Sequence, residues 1–312
     1  MSGFVSIRKS QIYHYLKTPL YIENTAGKFV LYKAENTEID FRRFHEDECP
    51  QLFISEEMGE DALSELQVQL RKKLIDRVKS GDLRSIKTAL CEIVEESFQE
   101  PLEENLRALP QTIEIIYDGF SGAARVLRDI NGLQFGGTTL AEHSVNVMVL
   151  VFNYCIFNRF NDKETKNLSL CALLHDIGLT KIPKSISGSN RKLSNTEFVK
   201  FRAHPSLGHD LIRENDHMEP SIALGVLEHH ERLDGQGYPR GISNITFEGR
   251  LVGMLDCFDN LTNTEKRHRK KENPFGALKI IQDETLKEGK FDKNIYRDLC
   301  LSLIGKRKYT DL

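Results

Sequence analysis

The sequence predicts a mainly α-helical protein, in which a small α/β domain precedes an all-α helical bundle at the C-terminal end. Over residues 1 to about 56, short β-branched or aromatic runs alternate with Pro, Gly and Asn turn signals. From about Leu109 onward, apolar residues recur at helical spacing almost throughout. We therefore predict an α/β domain with a regulatory or interaction role at 1–56, a helical connector at 57–108, and a helical domain at 109–312.

The predicted elements follow in order from local patterns. The runs "FVSI", "PLYIEN", "KFVLYKA" and "QLFIS" predict strands, with a helix around Ser10–Leu16 between the first two. The acidic stretch "SEEMGEDALSEL" begins a helical region that extends through Gln99 and breaks near residues 80–82.

Helix-start signals recur in the C-terminal region. Ser194 with Glu197 three residues later forms a capping-box pattern, and "PSIALGVLEHH" begins with a proline, as the first turn of a helix tolerates. The last amphipathic stretch, "FDKNIYRDLCLSLIG", ends at Gly305.

Composition bounds the class of protein. The chain has 312 residues, of which 39% are hydrophobic and 29% charged, and its net charge of −3 gives no reason to expect a nucleic-acid or membrane partner. We see no signal peptide, and the most apolar run, Val145–Phe157, is polar-interrupted and short for a membrane span. The six cysteines are scattered without a CxxC pair, which indicates reduced thiols in a cytoplasmic protein.

Histidines are concentrated in one part of the chain. Seven of the ten lie between residues 143 and 230, mostly on predicted helices and several on apolar faces. One such histidine alone would be interpreted as a hydrogen-bonded core residue. Five of them beside suitable carboxylates indicate metal coordination, because burying that many unpaired imidazoles would be costly.

The spacing suggests how two ions could be held. Adjacent helical residues project about 100° apart, so that His175 could bind one ion while the carboxylate of Asp176 bridges to a second. The pair at 229–230 could complete the second site, and Asp256 and Asp259 share a helix face. Nitrogen and oxygen ligands without a thiolate argue against structural zinc and fit iron or manganese, with zinc or nickel as alternatives. Two divalent ions would generate a bridging hydroxide for an in-line phosphoryl displacement.

Four segments together resemble the HD-GYP family, a subgroup of the HD-domain metal-dependent phosphohydrolases. They are, in order, "LLHDIG", "AHPSLG", "HHERLDGQGYP" and "LDCFDNLT". The resemblance covers about Leu109 to Gly305 and leaves the first 100 residues outside it. It implies an HD-type helical bundle that hydrolyses cyclic di-GMP at a metal cluster, often of iron.

The resemblance also implies a ligand set by matching position. One ion would be bound by His143, His175, Asp176 and Asp259, and Asp176 would bridge to a second ion bound by His204, His229 and His230. We expect Asp256 to be a polar residue of its helix, or to support a metal ligand, rather than to bind a metal itself. Some members bind a third metal through a glutamate whose position is occupied here by Thr139. We therefore expect two divalent ions, iron first and manganese next, with Asp176 also catalytic.

The substrate side is expected in the glycine-rich turn after the paired histidines. By family analogy, Tyr238 would face the phosphate or its bridging water, with Gly237 beside it as a further substrate contact. Glu231 is expected to orient a histidine N–H, with Asp234 in a similar supporting role. Turn formation alone would also explain Asp234 and the glycines.

The chain departs from the family at two substrate positions. Leu179 replaces a lysine that assists at the phosphate, and Lys181 two residues later could reach it instead, the alternative being a solvated side chain. Glu265 replaces an arginine that contacts the nucleotide, and Arg267 or Arg269 could serve unless this is simply a solvated basic run. Both departures affect the substrate rather than the metals.

The leading hypothesis is a cytoplasmic phosphodiesterase that hydrolyses cyclic di-GMP by a bridging hydroxide at a binuclear centre, with activity lowered by Leu179 and Glu265. One alternative is a metal-containing sensor or partner-docking module with little turnover. A second is a phosphohydrolase of another nucleotide. A third is an HD-type di-iron oxygenase, which no specific feature of the sequence supports. Expected partners are cyclic di-GMP or a related nucleotide, and signalling proteins of the diguanylate cyclase type at the Gly237–Pro239 loop.

Overall fold

The computed structural model describes residues 3–37, 39, 50–99, 106–121, 139–263 and 270–304. The chain divides into two compact units, Met1–Asp76 and Arg77–Leu312, called the N-terminal and C-terminal units below. The described residues are mainly α-helical, which confirms the predicted fold class. The predicted boundaries near residues 56 and 108 stay predictions.

The N-terminal unit contains a four-stranded antiparallel sheet in the order β1-β4-β2-β3. Its strands are β1 (Phe4–Ser6), β2 (Leu20–Glu23), β3 (Phe29–Lys33) and β4 (Leu52–Ser55). Short 3-10 helices at Lys9–His14 and Glu56–Met58 lie between β1 and β2 and after β4. The long helix α1 (Gly59–Ser80) follows and buries Ala62, Leu66, Leu70 and Leu74, whose four-residue spacing places them on one face.

Glu65 on α1 binds the chain just before β2. Its carboxylate accepts hydrogen bonds from the backbone N–H groups of Leu16, Lys17 and Thr18 at 2.8, 2.7 and 2.9 Å. Partial burial raises the pKa of Glu65, but these hydrogen bonds outweigh burial and lower the pKa below its ordinary value. The ionised carboxylate therefore stabilises this part of the N-terminal unit.

The C-terminal unit is helical in its described residues. After α1 the helices are α2 (Leu83–Gln99), α3 (Leu109–Phe120), α4 (Leu140–Phe157), α5 (Asp162–Leu174), α6 (Lys184–Ser187), α7 (Asn195–Phe201), α8 (His204–Arg213), α9 (Pro220–Glu228), α10 (Phe247–Asn263), α11 (Pro274–Leu286) and α12 (Lys293–Ile304). A 3-10 helix at Ile177–Lys181 follows α5. The capping box at Ser194 is confirmed, since its side chain accepts from the Glu197 N–H while Glu197 accepts from the Ser194 N–H.

Helix α4 is the centre of this unit and packs against α2, α5 and α10. By length and composition it is the one helix in the described residues that could cross a membrane, but 83% of it is buried inside the protein. It also carries the buried polar residues Glu142, His143 and Asn146. These features are typical of the central helix of a globular domain, buried all round.

Helix α2 packs against α4 through a face that includes Ile86, Leu90 and Ile93. It begins after the predicted break, where Gly81 adopts a positive φ of 71°. On the same buried face, Lys87 is 0% exposed and its Nζ lies 3.6 Å from Oε1 of Glu142. Burial lowers the pKa of Lys87, although the charge of Glu142 acts in the opposite direction.

Candidate metal centre

Histidine and aspartate side chains from five helical segments meet in one buried cluster beside α4. The members are His143 on α4, His175 and Asp176 after α5, His204 at the start of α8, His229 and His230 after α9, and Asp256 and Asp259 on α10. His230 is half-buried, and every other member is at most 9% exposed. The structure thus brings together all seven side chains predicted to bind metal.

Asp176 is shared by two groups of side chains that could each hold a metal ion. Its Oδ1 lies 3.1 Å from Nε2 of His204 and 3.7 Å from Nε2 of His229. Its Oδ2 lies 3.6 Å from Nε2 of His143 and 3.5 Å from Nε2 of His175. The two oxygens of one carboxylate therefore face different pairs of imidazoles.

The imidazole tautomers indicate that the cluster is built for a cation. Nδ1 of His175, His204 and His229 each donates to the backbone carbonyl three residues earlier, at 2.7, 2.8 and 2.6 Å. Since a carbonyl can only accept, Nδ1 carries the proton, and in a neutral ring Nε2 presents a lone pair. The Nε2 atoms of His204 and His229 lie 3.3 Å apart, and those of His143 and His175 lie 3.2 Å apart. Lone pairs this close repel each other unless a cation or proton lies between them. Hydrogen bonds from Nδ1 to a backbone carbonyl are also the kind that orients metal-binding histidines.

The two aspartates of α10 have different positions in the cluster. Asp259 accepts from Nδ1 of His143 at 2.7 Å through Oδ2 and from Nδ2 of Asn263 at 2.6 Å through Oδ1. Asp256 places Oδ1 3.0 Å from Nε2 of His143 and 3.7 Å from Nε2 of His175. Asp256 therefore faces the Nε2 atoms of His143 and His175, whereas Asp259 contacts the opposite edge of the His143 ring.

The side-chain positions favour Asp256 over Asp259 as the carboxylate beside the Nε2 atoms, the opposite of the order that the sequence suggested. Their three-residue spacing correctly places them on one helix face. Spacing alone contains no information on which carboxylate reaches the Nε2 atoms, because that depends on how α10 packs against α4.

Electrostatics keep Asp176 and Asp256 ionised. Burial raises the pKa of Asp176, but His175, His204 and His229 outweigh it and hold the pKa of this carboxyl well below its ordinary value. Asp256 follows the same pattern: burial is outweighed by hydrogen bonds from two histidines, and its pKa is also well below the ordinary value.

The histidines respond in two ways to burial. Burial lowers the pKa of His143, but Asp256 and Asp259 outweigh it and raise the pKa well above the ordinary value. Burial and the neighbouring imidazoles lower the pKa of His229 and, more strongly, of His230. The carboxylates of Asp176 and Asp256 beside the lowered-pKa imidazoles of His229 and His230 form a donor set that suits a divalent cation.

Gly178 allows the two halves of the cluster to approach. A Cβ atom at this position would lie 2.0 Å from the carbonyl oxygen of His204 and 2.6 Å from the backbone nitrogen of Gly208. Any side chain would therefore separate the segment of Asp176 from α8. The glycines of "HDIG" and "HPSLG" serve this close contact.

The loop Arg232–Gly241, called the GYP loop below, is held by carboxylates. Glu231 accepts from the backbone N–H of Arg240 at 2.7 Å and from that of Ile242 at 3.1 Å. This is a different role from the predicted one, because both oxygens of Glu231 bind loop backbone rather than a histidine ring. Asp234 accepts from Nε of Arg232 and from the backbone N–H of Gln236, both at 3.0 Å, and so stabilises the turn itself.

Gly237 and Tyr238 bring the GYP loop against the cluster. A Cβ on Gly237 would lie 2.5 Å from the backbone nitrogen of Arg232, so only glycine fits there. The backbone N–H of Tyr238 donates to the carbonyl of His230 at 3.1 Å, and the two ring centroids lie 4.6 Å apart. Burial and nearby Asp176 and Asp256 raise the pKa of Tyr238, so its phenol stays protonated.

Comparison with known families agrees with this geometry. The HD domain matches residues 133–295, about half of the chain. The chain belongs to the HD-domain family. The HD-GYP resemblance of its sequence is confirmed by the curated relatives.

Two curated relatives are cyclic-dinucleotide phosphodiesterases by name. The chain is 30% identical over 158 residues to the cyclic di-GMP phosphodiesterase PdeB of Borreliella burgdorferi, covering 50% of this chain and 40% of that protein. It is also 30% identical over 145 residues to the 3'3'-cGAMP-specific phosphodiesterase 3 of Vibrio cholerae, covering 46% of this chain and 31% of that protein. The chain therefore spans less than half the length of these relatives.

A solved structure shares the fold. The HDG"Y"P protein from Bdellovibrio bacteriovorus matches with a TM-score of 0.63 and 19% identity, over 95% of this chain and 98% of that one. The HD domain and the residues before it thus have a structural counterpart.

The residues at which this chain departs from the HD-GYP motifs, and the basic residues near them, have different environments. Leu179 is 9% exposed and packs with Ile182 and Ile186, next to Leu140, Leu193, Phe201 and Leu207. Lys181 is exposed at the end of the 3-10 helix. Thr139 caps α4 by accepting from the backbone N–H of Glu142 at 3.1 Å. Glu265, Arg267 and Arg269 lie outside the described residues.

Proposed function

We propose that this chain is a metal-dependent phosphodiesterase that hydrolyses cyclic di-GMP. The observation that carries the proposal is the division of the Asp176 carboxylate between two pairs of imidazoles, the arrangement expected of a carboxylate that bridges two ions. The name of the relative PdeB supports the substrate.

The proposed centre holds two divalent ions, of which iron is the first choice and manganese the second. The first ion would be bound by His143, His175, Asp176 and Asp256, and the second by Asp176, His204, His229 and His230. Asp259 then orients His143 through its Nδ1, as carboxylates commonly do behind metal-bound histidines. When bound, the ions would lower the pKa of a water and stabilise charge on the phosphoryl oxygens.

The remaining residues position the substrate. Tyr238 is protonated and lies beside His230, where its hydroxyl could donate to a phosphate oxygen. Glu231 and Asp234 keep the GYP loop in this place. Lys181 and Arg267 remain predicted phosphate contacts from the sequence.

The direct test is hydrolysis. Protein purified without oxygen and loaded with Fe(II) or Mn(II) would be incubated with cyclic di-GMP, and the linear product measured by chromatography. We expect product from the wild type and from an Asp216→Ala control, whose carboxylate is exposed, and none from Asp176→Ala. A metal-loaded wild type that yields no product would contradict the proposal.

Two observations favour specific alternatives. Leu179, in its apolar cluster, offers no charge to a phosphate, which favours a sensor that binds cyclic di-GMP with little turnover. The Vibrio cholerae relative favours another cyclic dinucleotide, 3'3'-cGAMP. Equilibrium binding without product would support the sensor, and a preference for 3'3'-cGAMP in the same assay would support the second alternative.

We expect the chain to act in the cytoplasm, where cyclic dinucleotides are made and read, with the N-terminal unit as a regulatory or interaction module. Docking of a diguanylate cyclase-type protein on the GYP loop remains a prediction from the sequence.

A further inference from the structure

Arg202 lies at the edge of the candidate centre, immediately after α7. Its Cζ atom is 4.7 Å from the ring centroid of Tyr238 and 5.8 Å from that of Phe198. Both distances are within the range of a cation–π contact. The side chain is half-buried, and the rings hold its charged end beside the GYP loop.

The guanidinium of Arg202 lacks a carboxylate partner among the residues that the structure describes. Other arginines of the C-terminal unit have one: Arg191 binds Glu197, Arg232 binds Asp234 and Arg250 binds Asp292. The two rings beside Arg202 offer π faces rather than oxygen acceptors. Its five N–H donors therefore remain available to a ligand.

The position of Arg202 indicates which part of a ligand bound at the metal cluster its guanidinium would contact. The Tyr238 ring is a neighbour of both groups, since its centroid lies 4.7 Å from Cζ of Arg202 and 4.6 Å from the ring centroid of His230. A ligand with one phosphate at the cluster would extend over Tyr238 towards Arg202.

We propose that Arg202 binds the second phosphodiester of a cyclic dinucleotide while the first lies at the metal cluster; this rests on the proposed function. A cyclic dinucleotide carries two phosphodiesters on opposite sides of one ring, and a guanidinium binds phosphate oxygens through two parallel N–H bonds. Arg202 thereby selects ligands with two phosphodiesters over those with one. It also supplies a positive charge on the substrate side, where Leu179 has none.

The test compares Arg202→Met with Arg213→Met, which removes an exposed arginine from the end of α8. The probes are a slowly hydrolysed phosphorothioate analogue of cyclic di-GMP and inorganic phosphate, each added to metal-loaded protein. For Arg202→Met we expect affinity for the analogue to fall by about 10- to 100-fold, as for loss of a charged hydrogen-bonding partner. Affinity for inorganic phosphate and the metal content should match Arg213→Met.

Steady-state kinetics add a second readout. Because Arg202 contacts the substrate away from the reacting phosphorus, its loss should raise KM for cyclic di-GMP and leave kcat within a few-fold of wild type. Arg202→Lys, which keeps the charge but loses the paired donors, should lie between wild type and Arg202→Met.

The outcomes separate this inference from the proposed function. If the wild type binds the analogue and Arg202→Met binds it equally well, the inference is overturned and the proposed function stands. If the wild type neither binds the analogue nor hydrolyses cyclic di-GMP, the proposed function fails and the inference with it. Should Arg202→Met lose metal, Arg202→Lys decides: weaker binding with full metal content supports the inference, and unchanged affinity overturns it.

Discussion

Asp176 joins two groups of histidines because its two oxygens face in different directions. Oδ1 lies near His204 and His229, and Oδ2 lies near His143 and His175. No other carboxylate in the described residues has this division among the contacts of the cluster. Removing Asp176 would thus affect both ions, whereas removing another carboxylate would affect one at most.

The carboxylates of α10 make the first prediction. Asp256→Asn should lose the ion beside His143 and His175, because Asp256 faces their Nε2 atoms. Asp259→Asn should keep both ions and weaken metal binding by about 10- to 100-fold, as for loss of a group that orients a ligand. Metal titration of the apoprotein would measure both.

Asn260→Ala is the matched control, since it changes a partner of Asp256 and leaves both carboxylates in place. Loss of an ion from Asp259→Asn together with full metal content in Asp256→Asn would reverse the two roles.

At the residue scale, the sequence predicts the metal cluster better than its surroundings. The histidines and Asp176 belong to short motifs that can be recognised from their residue types alone. The positions of Asp256 and Asp259 in the cluster, and the loop contacts of Glu231, depend on how helices and loops pack against each other. Arg202 precedes "HPSLG" by two residues and belongs to no motif considered, so only its contact with Tyr238 identifies it.

Helix α2 shows how an element can belong to the core while its sequence suggests a connector. Its charged residues favour a solvated helix, yet Ile86, Leu90 and Ile93 pack against α4 and Lys87 is fully buried. Lys87 in particular suggests an exposed position, because a buried lysine is rare without a partner. Glu142, more than 50 residues later, is that partner.

A double-mutant cycle tests the pair. Lys87→Met or Glu142→Leu alone should each destabilise the protein by about 3 kcal/mol, because each leaves a buried charge without its partner. The double variant should recover most of this loss, since two apolar side chains can replace a buried ion pair. The measurement is the free energy of unfolding in urea, and additive losses in the double variant would show that the two residues do not interact.

At the scale of the whole molecule, the fold class is predictable because helical periodicity and short β-branched runs are local signals. The strands of the N-terminal unit and the break at Gly81 lie where these signals place them. The two units divide at residues 76 and 77, within α1, and no composition change marks that position. Such a division depends on packing that the sequence pattern does not contain.

The N-terminal unit has a pH dependence that can be measured. The folded-state pKa of Glu65 lies below its ordinary value of 4.5, so its contribution to stability is present above about pH 4.5 and is lost as the pH falls through the folded-state pKa. Glu65→Gln should cost about 1 kcal/mol at pH 7, a value reduced for partial exposure. The cost should be smaller at pH 3 than at pH 7.

Urea unfolding of the wild type and Glu65→Gln at pH 7 and pH 3 tests this, with Glu60→Gln, an exposed residue of the same helix, as the control. An equal difference in unfolding free energy at both pH values would be inconsistent with an ionised Glu65 in the folded state.

The central claim is that one carboxylate joins two ions, and the count of metal per chain tests it most directly. Wild-type protein purified anaerobically with added iron should contain about two ions per chain, and Asp176→Ala at most about one. Asp216→Ala should match the wild type. An Asp176→Ala protein that is folded and still holds as much metal as the wild type would contradict the account.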